Sequence, residues 1–249
     1  LRAVRSVLAF LVVLALVPLA VAAPARAEDP VCEELPDDEV VARLREVRGY
    51  VERHEPDTRH WATAFLSLHV AMVGVQLSLA ISADNEGALV DGWVGALSST
   101  LGVATLLISW PQLIGAGGAI DELPTRTPEE RRYALARAEQ RMRRASDQVA
   151  FVRSPFTTIL NALYVGGAGA FTLVGWGRVT GGFILAAGGS VLSQGRVLLF
   201  PTGIREEWLR YHRRHPDAGC EPMPVPSGAT EPSLTVVPNG LGASMLLVF

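Results

Sequence analysis

The chain is 249 residues long, 49% hydrophobic and only 19% charged, with a formal net charge of −3. That balance leans away from an ordinary soluble domain and towards the membrane class, and gives no bulk electrostatic drive towards nucleic acid. All 22 basic residues are arginine, a bias that points to a GC-rich genome rather than to arginine chemistry.

Residues 1–27 have the three parts of a secretory signal peptide. Arg2 and Arg5 form a basic start, residues 7–22 an apolar stretch, and Ala25-Arg26-Ala27 a small-residue cleavage site before Glu28. The alternative is an uncleaved anchor. Residues 37–54 read as an amphipathic helix with Val40, Leu44, Val47 and Val51 on one face, ended by Pro56. Four apolar segments are then expected, at 61–82, 89–110, 156–176 and 179–200. Each is about 20 residues, the length of a helix crossing a ~30 Å hydrocarbon core. Asp84-Asn85-Glu86-Gly87 joins the first two and Gly177-Arg178 the second two, so each pair should be an antiparallel hairpin. A soluble bundle with an unusually apolar core is the competing reading.

Between the hairpins, residues 128–152 carry Leu135, Ala138, Met142, Ala145, Val149 and Val152 at alternating steps of three and four, the seam spacing of packed helices. Thr127 is the expected N-cap, Pro128 the first helical residue and Glu130 the partner in a capping box. A closing helix is expected at 203–214, with Ile204, Trp208 and Tyr211 facing inward. The three polar helices should pack on one another beside the membrane. Residues 216–249 form a proline-rich tail in which Pro238-Asn239-Gly240, between two short apolar runs, signals a terminal β-hairpin.

The two hairpins resemble copies. WATAFLSLHVAMVG from Trp61 aligns without gaps to FTTILNALYVGGAG from Phe156, and Trp110-Pro111 recurs as Phe200-Pro201. Repeat one would cover 37–111 and repeat two 128–201, within a helical membrane domain of residues 28–215. The fold class expected is therefore all-α: four transmembrane helices as two duplicated antiparallel hairpins, amphipathic juxtamembrane helices and a short C-terminal β-hairpin.

Residues 165–190 contain nine glycines. No lysine follows them and no strand precedes them, so they do not form a phosphate loop. Small residues instead let helix backbones approach in lipid. Steps of four assign this role to Gly92, Ala96 and Thr100, to Gly166 and Ala170, and to Gly182, Ala186 and Ser190. His69, Gln76, Asn161 and Gln194 are polar at bilayer depth and must face protein or water. No GxSxG, HExxH or CxxC occurs, so no catalytic residue, metal site or cofactor is expected, and the reading is non-enzymatic. Cys32 and Cys220, in an exported chain, are expected to form a disulfide.

A signal peptide, two glycine-rich hairpins closing on WPQ and FPT, an arginine-rich helix between them and a terminal phenylalanine resemble exported four-helix membrane proteins of GC-rich bacteria. That group carries no assigned activity, so the resemblance implies no catalytic residues. The expected setting is the bacterial cell envelope, with the polar helices on the periplasmic side. The seventeen arginines on that side run against the positive-inside tendency. The expected partners are the lipid bilayer and a second copy or another membrane protein, not nucleic acid. The expected role is structural or interactional. A small transporter or channel with a path between the repeats is the alternative.

Overall fold

The computed structural model describes residues 35–177, 179–219, 233–239 and 242–248. The expected signal peptide, Cys32, Cys220, Arg178 and most of the proline-rich tail lie outside the described residues.

The first element, α1 (Asp37–Ile81), is one helix of 45 residues that runs straight through Pro56. The sequence reading of a break there is corrected. Proline disfavours helix at the residue before it, but here that residue is Glu55, whose carboxylate is fixed by Arg59 and by the amides of Gly115 and Gly117. Thr58 Oγ1 donates to the His54 carbonyl at 3.0 Å. Pro56 itself is exposed, so the backbone group it orphans meets water instead of a packed neighbour. At about 1.5 Å per residue, α1 is about 68 Å long, more than twice the hydrocarbon thickness. Half of it must therefore stand outside.

The chain returns through α2 (Glu86–Ile108), capped by the Asn85 side chain accepting from Ala88 N at 2.9 Å. A short helix not expected from sequence, α3 (Ala116–Asp121), follows Gly115 in the left-handed region at φ 82°. Next comes α4 (Pro128–Val152), with the full Thr127/Glu130 capping box and Pro128 in its first turn. Ser154 is extended and precedes Pro155, so α4 stops and α5 (Pro155–Trp176) begins after two intervening residues. Gly177, at φ 63°, ends α5. The remaining helices are α6 (Val179–Leu198) and α7 (Gly203–Arg214). Two segments, β1 (Ser233–Asn239) and β2 (Gly242–Val248), pair antiparallel with Asn239 opposite Gly242.

The helices divide into two environments. The first half of α1 packs with α3, α4 and α7 around Val47, Val51, Ile120, Met142, Val149, Ile204, Trp208 and Tyr211. Burying such side chains stabilises by roughly 1.5–3 kcal/mol each. The second half of α1 with α2, and α5 with α6, are apolar outside as well as inside. Leu79, Ile108, Ile159, Val174, Phe183 and Val191 are all more than half exposed. Four helices are thus long and apolar enough to cross a membrane, and only 11% to 28% of their most apolar stretches is buried. The surface left open is the kind that lipid covers.

The helical cap buries three acids, Glu55, Glu139 and Glu207. Glu139 is 3% exposed; Tyr211 donates to its Oε1 and the Gly219 amide to its Oε2, at 2.5 and 2.8 Å. Burial pushes its carboxyl above the ordinary value of 4.5, against the opposing pull of these two donors. A carboxyl raised in the folded state binds protons more tightly there than when unfolded. The stability that Glu139 contributes is therefore fully present below pH 4.5 and is lost as pH rises through the folded-state value. Thermal unfolding midpoints of wild type and Glu139→Gln across pH 4 to 8 should show this decline in the wild type and a flatter profile in the variant. Parallel profiles would contradict it.

Candidate functional site

The cap meets the apolar hairpins at a ring of aromatics. Trp61 packs edge-on against Phe200 at 4.5 Å and against Phe65 at 5.3 Å, while Phe151 lies 6.4 Å from Phe156. Aromatic side chains are enriched at this level because they present an apolar body and tolerate a polar edge. At the same level both returning helices end, and their last carbonyls lack helical partners.

One helix supplies those partners. From α4, Gln148 Nε2 donates to the Ser109 and Trp110 carbonyls at 3.1 and 3.2 Å, and its Oε1 accepts from Gln112 N at 2.8 Å. Five residues on, at the C-cap of α4, Arg153 Nη2 donates to the Leu198 and Phe200 carbonyls at 2.7 and 3.2 Å. The two aromatic-proline ends, Trp110-Pro111 and Phe200-Pro201, are thus tied to the same helix. Neither clamp is predictable from sequence, because Gln148 and Arg153 read as ordinary polar-face residues.

A second anchor was equally hidden. The Glu55 carboxylate accepts from Gly115 N at 3.0 Å and Gly117 N at 3.3 Å. An added Cβ on Gly117 would stand 3.1 Å from Glu55 Oε2. The glycine-rich start of α3 at Gly115 and Gly117 thus binds an internal anion. Burial raises the Glu55 carboxyl, yet the two amides and Arg59 outweigh it and hold the group below its ordinary range.

Within the hairpins, α1 and α2 approach closely at glycines. A Cβ on Gly92 would lie 2.7 Å from Ala80 N, one on Gly95 2.8 Å from the Gln76 amide, and one on Gly102 2.5 Å from the His69 ring. Ala96 is buried on the same face. Gln76 also accepts from Ser99 Oγ at 2.9 Å. Thr100 does not join this face; it is exposed and donates back to the Ala96 carbonyl at 2.9 Å. Steps of four drift about 40° per step on a 3.6-residue helix, so the contact row instead alternates three and four.

The α5–α6 seam follows the same rule. A Cβ on Gly169 would meet Ala186 Cβ at 2.7 Å, and one on Gly182 the Gly169 carbonyl at 2.8 Å. Gly166 and Ala170 are exposed, with open space at Gly166; the seam uses Val165, Ala168, Gly169 and Thr172 instead. Ser190 is half-buried, and its carbonyl accepts from Ser193 at 3.4 Å. Gln194 Nε2 donates to the Thr158 carbonyl at 3.1 Å. Asn161 lies half-buried on α5. His69 is 7% exposed, and its Nδ1 is buried without a partner.

The two hairpins touch through a few polar side chains. Arg196 Nη1 on α6 donates to Thr105 Oγ1 on α2 at 3.3 Å. Gly181 on α6 leaves room for the Asp91 carboxylate of α2. On the cap, Tyr50, Glu207, Arg210, Arg213 and Arg214 line an open cleft of about 420 Å³. His212 stacks on Trp208, His215 lies tilted against Tyr211 at 4.7 Å, and no metal-binding group of three or more His, Cys, Asp or Glu occurs among the described residues.

Compared with protein-family models, curated proteins and solved structures, the chain matches none. The geometry alone carries the reading. Gly102→Leu should force α1 from α2 against the buried His69 ring, costing about 1–3 kcal/mol or more. Gly166→Leu, facing open space, should leave monomer stability within about 0.5 kcal/mol. Thermal unfolding in detergent measures both, and equal losses would contradict the assigned seams.

Proposed function

We propose that the chain is a non-enzymatic integral membrane protein with a structural or interaction role in a bacterial cell envelope. In this reading the two hairpins are duplicated units related by an axis along the membrane normal, hung from one helical cap. The observation that carries it is the clamp of α4 on both returning helices, through Gln148 and Arg153. It makes cap and spans one body, a platform rather than a set of loose helices.

The face left unused inside the monomer supports an assembly role. Gly166 and Ala170 lie one turn apart on the exposed side of α5, and small residues at that spacing allow another helix to approach. The occupant proposed is a second copy of this chain. The cap lies on the periplasmic side, following export by residues 1–27. The chain lengths also support a Cys32–Cys220 disulfide. Arg43 pairs with Asp217 at 2.7 Å, and Arg43 is six residues, about 9 Å along the helix, from Asp37. Cys32 is five residues from Asp37, a reach of up to about 17 Å.

A path for solute between the two hairpins is the second reading, favoured by the unpartnered Nδ1 of His69 because ionisable groups at bilayer depth mark transport routes. Liposome flux lost in His69→Ala and Asn161→Ala would support it, and unchanged flux would exclude it.

Two measurements test the first reading. Alkaline phosphatase fused after residue 150 should be active, and an inactive fusion in a stable product places the cap in the cytoplasm. Cross-linking in native membranes should capture a dimer that Gly166→Leu weakens; a monomer in both would remove the assembly role.

A further inference from the structure

Arg196 stands two residues before the end of α6, at the level where the apolar hairpins meet the cap. Its bond to Thr105 Oγ1 crosses from one hairpin to the other. Among the described residues no carboxylate faces it. The acids on α2, Asp91 and Glu86, are fourteen and nineteen residues from Thr105, about 21 and 28 Å along the helix. His69, three residues' depth away against Gly102, is an electrostatic neighbour of Arg196 and brings no negative charge. Its Nδ1 is itself buried and unpartnered.

A guanidinium at this depth without a counter-charge is costly, and such groups are satisfied by partners or by reaching the interface. The rim above it is also cationic: Arg153 sits there, donating to the Leu198 and Phe200 carbonyls. The surface beside it is apolar and open. Leu107, Ile108, Leu198 and Leu199 are 54%, 85%, 64% and 67% exposed. A cation at the edge of the hydrocarbon, a hydroxyl beside it, these apolar side chains around it and Val191, 76% exposed five residues deeper on α6, match the parts of one ligand class. Basic pockets between membrane helices bind anionic headgroups in this way.

We infer that the seam between α2 and α6 on the cap side holds one anionic phospholipid. Its phosphate rests on the Arg196 guanidinium and the Thr105 hydroxyl, and its acyl chains run from there towards the bilayer centre, past the exposed Val191 five residues deeper on α6. The lipid supplies the missing negative charge and fills the join where the two hairpins meet through few side chains. This rests on the membrane reading above.

The test uses the full chain purified in mild detergent, titrated with phosphatidylglycerol, phosphatidylcholine or inorganic phosphate. The thermal midpoint is read together with bound lipid per chain by native mass spectrometry. Phosphatidylglycerol should raise the midpoint and remain bound. Arg196→Gln should weaken this about fivefold, the worth of one arginine near a membrane surface, and Arg196→Lys should recover part of it. Thr105→Val, which leaves the charge in place, serves if Arg196→Gln does not fold, and should weaken binding less. An equal response in wild type and the Arg196→Gln or Thr105→Val variant overturns the site. An equal response to phosphatidylcholine overturns the charge argument. The same Arg196-dependent shift with inorganic phosphate alone overturns the lipid. Carbonate extraction separates the two readings: a chain stripped from membranes removes the membrane reading, whereas a retained chain without a phosphatidylglycerol response removes only this site.

Discussion

A helix leaves its last carbonyls without donors, and at the edge of a bilayer those carbonyls sit where water thins out. Both returning helices of this chain end there, and both are completed by α4. Gln148 serves the end of α2 and Arg153 the end of α6. Donors at a fixed separation along one helix set the spacing of the two hairpin ends. Everything below the clamp, including the contact of α2 with α6, inherits that spacing.

Above the clamp the helices pack as in a soluble bundle. Val47, Val51, Met142 and Tyr211 are fully buried and fill a shared core. Buried charges are matched: Arg43 is 7% exposed at the side chain and bridges Glu39 and Asp217. Surface pairs such as Arg48 with Glu52 add little beyond solubility. Below the clamp water is replaced by lipid, and area burial loses its force. There the contacts are backbone against small residue, as at Gly92 on Ala80 and Gly182 on Gly169. The same chain thus uses two packing chemistries, and α1 crosses between them without a break.

Local signals made much of this legible. Lengths of apolar runs gave four spanning-capable helices, and Thr127-Pro128 with Glu130 marked the start of α4 to the residue. What failed to show were decisions made by distant residues. Pro56 reads as a stop, yet Glu55 is held in helical backbone by amides sixty residues away. Pro155 does follow the end of a helix, because Ser154 before it is extended and caps α5, its hydroxyl accepting from Thr157 N at 3.2 Å. Glycine spacing identified the α2 and α6 faces but misplaced Thr100, Gly166 and Ala170, since a four-residue row turns away from its neighbour. Gln148 and Arg153 carry no signal at all; their role exists only once two chain ends arrive beside them.

The clamp holds the two hairpin ends together, and site-resolved hydrogen exchange in detergent or nanodiscs tests it most directly. Gln148→Ala should accelerate exchange near Ser109 to Gln112 and leave Leu198 to Phe200 protected. Arg153→Ala should do the reverse, and the double variant should loosen both ends while the mid-span amides stay protected. Exchange at both ends that is unchanged in the double variant would contradict the claim that α4 holds the two hairpins together.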